Sequence, residues 1–129
     1  YKMSEQTKYL KLNDIDAYKN AFNLSNRVWD IVIKWNYFAL DTVGKQFVKA
    51  VDSISANIAE GFGRYTKKDK IKFYRYSSGS VYESLDWTEK AFKRNLLSEA
   101  DYNEIHSTLK SLPKDIYGLI NFTHSKLKY

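Results

Sequence analysis

The feature that most constrains the fold is an apolar spacing of three and four residues that recurs along nearly the whole sequence. This spacing keeps side chains on one face of an α-helix. The 129 residues include only one proline and five glycines, so few residues interrupt it. No segment alternates apolar and polar residues for long, which leaves β-strands poorly supported. The chain is therefore predicted to be all-α.

The first half of the sequence predicts two helices. Asp14 is a plausible N-cap for the first, whose apolar spacing continues to about Leu40. A short break is expected over residues 41–44. The second helix is expected to end at Gly61 to Gly63, because glycine reaches the left-handed conformation at little steric cost.

The second half predicts two further helices. Thr66 and Ser98 are each followed three residues later by an aspartate, a pattern typical of a capped helix start. The third helix is expected to reach about Asn95. Pro113 lies inside the fourth helix, where its missing N–H predicts a kink or a brief interruption.

Residues 1–129 are predicted to form a single domain. The apolar stripes expected in its core are Ala17, Ala21, Leu24, Val28, Ile31, Trp35 and Phe38; Phe47, Val51, Ile54, Ile58 and Phe62; Ile71, Tyr74, Ser78, Val81, Leu85, Thr88 and Phe92; and Tyr102, Ile105, Leu109, Leu112, Ile116 and Leu119. Four amphipathic helices joined by short connections favour an antiparallel up-down-up-down four-helix bundle.

Charge and cysteine content limit the partners and the compartment. Lys and Arg number 21 against 15 Asp and Glu, a net charge of +6 that favours polyanionic partners such as RNA or DNA. Cysteine is absent, which excludes disulfides and thiolate metal sites and suits a reducing cytoplasm. We find no leader pattern and no apolar run long enough to span a bilayer, and expect a soluble cytoplasmic protein without a membrane partner.

The third helix carries more apolar surface than one bundle needs. Beside its core stripe lies an aromatic sector that includes Phe73, Tyr76 and Trp87. Aromatics make up 16% of the chain, and large aromatic side chains dominate cores and interfaces. We expect this sector to be an oligomer interface between identical subunits. The alternative is that these rings cover the edge of the bundle.

A stripe of hydrogen-bonding side chains borders the core of the second helix and faces polar residues of the third. We expect these residues to form a structural network that fixes helix register. Its members are Gln46, Ser53, Asn57, Glu60, Ser80 and Glu83.

The alternative for Glu60 and Glu83 is an acid/base or metal-binding pair. Metal sites in bundles also need Glu-x-x-His ligand pairs, and neither His106 nor His124 follows a glutamate by three residues. No nucleophile–base–acid set or phosphate loop appears elsewhere. We therefore expect no catalytic residue, no metal, no cofactor and no enzymatic activity.

A basic segment opens the third helix. Lysine and arginine concentrate here beside Tyr65, a combination suited to phosphate contacts and base stacking in RNA or DNA. A solvated helix start and a site for an acidic protein partner are the alternatives. The candidate nucleic-acid-binding residues are Arg64, Tyr65, Lys67, Lys68, Lys72 and Arg75.

The segment from Gln46 to Ser84 resembles a known bacterial family. The matching pattern is S-x-x-x-N-x-A-E-G from Ser53 to Gly61, followed by G-S-x-x-E from Gly79 to Glu83. It is similar to the four-helix-bundle proteins encoded by intervening sequences of large-subunit ribosomal RNA genes. The resemblance covers most of the chain, although Asp41 and Thr42 stand where family members commonly carry a proline and an acid.

This resemblance implies an antiparallel bundle and, from some members, a ring-shaped homopentamer. It also extends to accessory proteins of diversity-generating retroelements, which bind a reverse transcriptase and nucleic acid. Two functions are therefore expected as alternatives: a non-enzymatic homo-oligomer that binds RNA or DNA, and an accessory subunit that binds a protein such as a reverse transcriptase. The resemblance supplies no catalytic residue.

Overall fold

The computed structural model describes residues 11–127, and these are helical except for short connections. After a 3₁₀ turn at Leu12–Asp14, the long helices are α1 (Asp16–Val32), α2 (Lys45–Gly63), α3 (Lys67–Lys93) and α4 (Glu99–Lys126). A helical turn, Tyr37–Ala39, and a π-helical segment, Leu40–Gly44, lead directly into α2. The all-α four-helix fold predicted from the sequence is confirmed.

The four helices pack in a ring of neighbours. Helix α2 packs against α1 and α3, and α4 packs against α3 and α1. Because the connections are short, successive helices run antiparallel. The starts of α1 and α3 and the ends of α2 and α4 therefore share one end of the bundle, called here the basic end. The π-helical segment and the α3–α4 connection lie at the opposite end.

The core consists of the predicted stripes with a few exceptions. Phe47, Ile54, Ile105 and Leu109 are fully buried. Phe38, expected in the core, is 77% exposed, and Phe92 is also exposed. Both lie beyond or near the end of a helix, where the neighbouring helices no longer cover the stripe.

Helix α1 differs from its predicted bounds at both ends. It is preceded by Ile15 rather than capped by Asp14, which belongs to the 3₁₀ turn and accepts a hydrogen bond from the Lys11 amide at 3.0 Å. It ends at Val32, and the predicted extension to Leu40 is wrong. The side chain of Asn36 accepts a hydrogen bond from the Ala39 amide at 3.1 Å and so starts a new helix.

The predicted break over residues 41–44 is instead the π-helical segment. Its last residue, Gly44, lies against α1, where a Cβ atom would come within 2.9 Å of Val32 Cγ1. A glycine here allows the two helices to approach closely. The extra residue of the π turn is accommodated without ending the helix.

Both predicted caps in the second half are confirmed. Thr66 Oγ1 and Ser98 Oγ each accept a hydrogen bond at 3.1 Å, from the amides of Asp69 and Asp101 respectively. Helix α3 ends at Lys93, close to the expected bound. Helix α4 runs without interruption through Pro113.

Gly61 and Tyr74 hold α2 and α3 together near the basic end. Tyr74 is 2% exposed, and its ring lies so close to Gly61 that a Cβ there would be 2.6 Å from Tyr74 Cε1. Burial raises the pKa of Tyr74 to about 12. Nearby, Ser77 Oγ donates a hydrogen bond of 2.7 Å to the Ile54 carbonyl, which links the two helices again.

Candidate nucleic-acid interface

Two lysines of the basic segment contact the ends of other helices. Lys67 Nζ donates to the His124 carbonyl at 2.9 Å, and Lys70 Nζ donates to the Phe62 carbonyl at 2.7 Å. These carbonyls lie in the last turns of α4 and α2, which have few intrahelical partners and carry the negative end of the helix dipole. Lys67 and Lys70 therefore have structural roles that the sequence did not reveal.

Arg64, a predicted nucleic-acid contact, is engaged within the chain. Its Nη2 lies 2.6 Å from Glu60 Oε2, and its guanidinium carbon lies 4.5 Å from the centroid of the Phe73 ring. An ion pair with a neighbouring carboxylate offsets the positive charge available to an external anion.

Three of the predicted cations remain on an open face of α3. Lys68, Lys72 and Arg75 are exposed and recur at four and three residues, so they share one side of the helix. No ion pair joins any of them to a carboxylate within residues 11–127, and Lys72 Nζ lies 5.5 Å from the Phe73 ring centroid. Elsewhere, several basic side chains pair with acids, as Arg27 does with Asp101 at 2.8 Å.

These cations border a shallow groove between α3 and the end of α4. The groove has a volume of about 560 Å³. Its lining residues are Lys67, Lys68, Ile71, Lys72, Arg75 and His124. No carboxylate belongs to this lining. Tyr65, 81% exposed, lies just before α3 begins.

The predicted aromatic sector lies on the outside of α3, on the side that faces α2. Phe73 and Trp87 are half-buried, whereas Tyr76 is 51% exposed. The Phe73 and Tyr76 rings meet edge to face with centroids 5.3 Å apart. Trp87 packs partly on the core, and Lys90 Nζ lies over its ring, 4.6 Å from the ring centroid. The sector is thus neither fully solvated nor enclosed by its own subunit.

The polar stripe of α2 runs beside this aromatic sector. Arg64, one turn beyond Glu60, stacks on Phe73 near the basic end, and Gln46 lines a depression with Trp87 at the opposite end. The two sectors therefore form one continuous surface, called here the α2–α3 face. Its residues are Gln46, Ser53, Asn57, Glu60, Phe73, Tyr76, Ser80, Glu83 and Trp87. Ser53 also lines the depression between α1 and α2.

The hydrogen-bond network predicted across this face does not form within the described chain. Ser53 Oγ donates to the Lys49 carbonyl at 2.8 Å, and Asn57 Nδ2 donates to the Ser53 carbonyl at 2.9 Å. Both bonds stay within α2. Such local bonds satisfy short polar side chains on a helix without a partner on the next one. For Gln46, Ser80 and Glu83, the described residues provide no side-chain hydrogen bond.

Glu60 and Glu83, the alternative acid/base pair, are both exposed. Glu60 pairs with Arg64, as described above, and no bond joins it to Glu83 within residues 11–127. In the same range, no group of three or more His, Asp or Glu side chains is placed to hold a metal ion. No described helix is long and apolar enough to cross a membrane.

The two histidines, His106 and His124, both lie on α4. His106 stacks on Tyr102 with centroids 5.3 Å apart, and its Nε2 is 3.7 Å from Glu89 Oε2. Tyr102 donates to that same oxygen at 2.5 Å, and this hydrogen bond raises the pKa of Tyr102. The cluster joins the end of α3 to the start of α4.

An apolar groove between α1 and α2 was missed by the sequence reasoning. Trp29 is 53% exposed and Ile33 49% exposed, and both line a depression of about 570 Å³ with Leu40 and Val48. The available signal was that Trp29 and Ile33 are four residues apart and lie off the core stripe of α1. Lys49 lies at the same groove.

Known proteins confirm the architecture and supply the family. A crystal structure of a protein of unknown function from the S23 ribosomal protein family of Bacteroides thetaiotaomicron superposes with a TM-score of 0.72. The match covers 81% of this chain and 97% of that one at 17% identity, so it supports the fold alone. Among curated proteins, none matches the sequence.

The family assignment rests on the sequence profile described as 23S rRNA-intervening sequence protein, which matches residues 13–118. This range includes α1, α2, α3 and most of α4, together with the S-x-x-x-N-x-A-E-G pattern. The resemblance noted from the sequence is thereby confirmed. The chain belongs to the family of 23S rRNA-intervening sequence proteins.

Proposed function

We propose that this protein is a non-enzymatic homo-oligomer that binds RNA or DNA through the basic end of its bundle. The observation that carries the proposal is the groove beside Lys68, Lys72 and Arg75, whose cations have no carboxylate partner within residues 11–127. Cations left uncompensated on one face attract a phosphate backbone and release its counterions on binding.

The phosphate contacts proposed are fewer than those expected from the sequence. Lys68, Lys72 and Arg75 are the principal phosphate contacts, since Lys67 and Arg64 already hold groups of the chain itself. Tyr65, at the same end and largely exposed, offers a ring on which an unpaired base can stack. Such binding is electrostatic and has little sequence preference.

The test replaces Lys68, Lys72 and Arg75 together by glutamine and measures binding to a hairpin RNA at several salt concentrations. Each lost phosphate contact reduces the slope of log K against log salt by about 0.7 to 0.9. We expect the triple variant to bind more weakly and with a flatter salt dependence than the native chain.

A matched control replaces Lys34, Lys110 and Lys114 by glutamine. These lysines are exposed, lie outside the basic groove and produce the same change in net charge. Equal weakening by both variants would show that net charge alone attracts the RNA. An unchanged slope in the first variant would exclude this groove as the binding surface.

Self-association is proposed to join the α2–α3 face of one copy to the α1–α2 groove of the next. Both surfaces are partly apolar, and each carries a charge that can pair with the other: Lys49 lies at the groove, beside Asp52, and Glu83 lies on the α2–α3 face. Neither side chain has an ion-pair partner within the described residues. Contacts between two different surfaces propagate head to tail and form a ring when the rotation between successive copies closes; a closed ring is in keeping with the pentamer that the family resemblance implies.

The second candidate is an accessory subunit that binds another protein, such as a reverse transcriptase. The favouring observation is the exposed apolar surface at the end opposite the basic groove, where Tyr37 and Phe38 are each 77% exposed and Phe38 borders the depression lined by Gln46 and Trp87. A neighbouring reverse-transcriptase gene with a template repeat would favour this candidate over direct action on ribosomal RNA.

A further inference from the structure

A small cavity at the basic end is separate from the groove described above. It is about 210 Å³ in volume and lies where the ends of α2 and α4 meet the beginning of α3. The lining residues are Phe62, Lys70, Tyr74, Leu119, Phe122, Thr123 and Leu127.

The phenol of Tyr74 is the unusual feature of this cavity. The residue is 2% exposed, yet its hydroxyl makes no hydrogen bond within residues 11–127. Within the described residues, no side-chain oxygen that is fully shielded from solvent lacks a hydrogen-bond partner, so the Tyr74 hydroxyl is not fully shielded. The hydroxyl therefore opens to the cavity, where it can donate to a bound group.

Lys70 places a cation at the same cavity. Its ammonium uses one N–H on the Phe62 carbonyl and has two further donors. Burial lowers the pKa of Lys70, so the charged form gains from an anionic partner. Thr123 donates its own hydroxyl proton to the Leu119 carbonyl at 2.8 Å and adds no further donor.

We propose that this cavity binds a small carboxylate with an apolar body, of the size of an aromatic or branched aliphatic acid. The carboxylate accepts hydrogen bonds from Lys70 Nζ and Tyr74 OH. The apolar body packs against Phe62, Leu119 and Phe122. A single cation among mostly apolar walls suits a carboxylate better than a more highly charged and strongly hydrated phosphate.

The test is an NMR titration of the full chain with benzoate and with benzamide, its neutral analogue of the same shape. We expect benzoate to bind saturably, shift the resonances of the Tyr74 ring and bind about tenfold more tightly than benzamide, because only benzoate forms a charge-assisted bond with Lys70. Equal binding of the two probes, or no saturable binding of benzoate, would overturn the proposal.

Variants locate the site. Lys70→Met keeps an apolar stem and should weaken benzoate binding about tenfold, whereas Tyr74→Phe removes only the hydroxyl and should weaken it about fivefold. Lys110→Met, on an exposed face of α4, should leave it unchanged. Tyr74→Phe retains the charge of Lys70, so it tests whether benzoate binds in this cavity even if Lys70→Met does not fold. Unchanged binding in Tyr74→Phe, or equal loss in Lys110→Met, contradicts the proposal.

Discussion

At the residue scale, Gly61 and Tyr74 restrict each other. The Tyr74 ring occupies the space that any side chain at position 61 would need, and the Lys70 carbonyl lies 2.9 Å from the same point. One neighbour is a buried ring and the other is backbone, so neither can easily move. This contact gives a physical reason for the glycine in the A-E-G part of the family pattern.

Gly61→Ala is expected to destabilise the protein by about 1–3 kcal/mol, the usual range for overpacking a well-filled site. Gly79→Ala is the matched control, because a Cβ at Gly79 meets no atom within 4 Å. Removing a glycine from an exposed helix interior should stabilise by about 0.5–1 kcal/mol. Urea unfolding measures the change in the free energy of unfolding for both variants. Equal effects at the two positions would contradict the steric explanation.

Tyr74 also predicts an alkaline loss of stability. Its pKa is raised in the folded chain to about 12 from 10.0, so the folded state keeps the proton after the unfolded state has lost it. The free energy of unfolding is then unaffected below about pH 10 and falls by roughly 2–3 kcal/mol as pH rises from 10 towards 12. Chemical unfolding across this range measures the fall.

Tyr74→Phe removes the titrating group and provides the comparison. The variant should show a shallower alkaline decline than the native chain, with the difference confined to the region above pH 10. Parallel declines in the two proteins would show that Tyr74 does not titrate as expected.

The basic residues show which parts of the candidate nucleic-acid site could be predicted from the sequence and which could not. The cluster from Arg64 to Arg75 was evident from composition along the chain, and its position on α3 followed from helical spacing. The contact of Lys67 with the end of α4 was not predictable, because it depends on two helix ends meeting in three dimensions. The same holds for Lys70 and the end of α2.

At the element scale, Thr66 and Ser98 marked the starts of α3 and α4 correctly, whereas Asp14 did not cap α1 and apolar spacing extended α1 too far. Ile31, Trp35 and Phe38 continue the spacing of α1 across the turn that ends it, so periodicity alone predicted one helix too long. Asn36 was the available sign of a new start. The π-helical segment was not predictable, since it depends on how Gly44 packs against Val32.

The Ser98 cap gives a prediction for α4. Ser98→Ala removes the acceptor of the Asp101 amide and should lower the free energy of unfolding by about 1 kcal/mol. Ser107→Ala, on an exposed face of the same helix, removes a hydroxyl without a described partner and should change stability little or raise it slightly. Thermal or urea unfolding compares the two. Equal losses would show that the cap does not contribute.

At the scale of the whole molecule, the subunit carries two unlike, partly apolar surfaces that meet along α2, where Ser53 borders both. The α2–α3 face was foreseen from the rotation of α3, because its aromatic residues lie outside the core stripe. The α1–α2 groove was not foreseen, since Trp29 and Ile33 become a surface only once the direction of α2 is known. Homo-oligomerisation therefore stays a prediction, now with both proposed surfaces defined.

Tyr76→Glu tests this association. A charge placed on the exposed part of the α2–α3 face should favour the monomer, because burying an unpaired carboxylate in an apolar contact is costly. Tyr117→Glu makes the same change on α4, where the tyrosine is 64% exposed and outside both surfaces. Sedimentation velocity measures the mass of each. A native chain that is monomeric, or two variants that dissociate equally, would contradict the proposed contact.

The basic groove and the exposed pair Tyr37 and Phe38 lie at opposite ends of the bundle, which has a directional consequence for any assembly. If copies stand side by side in the same orientation, their cations accumulate around one rim while Tyr37 and Phe38 accumulate around the other. A polyanion held in the grooves would then lie along one rim, and Tyr37 and Phe38 on the far rim would stay available to a protein. One particle could in this way hold two chemically different partners at once.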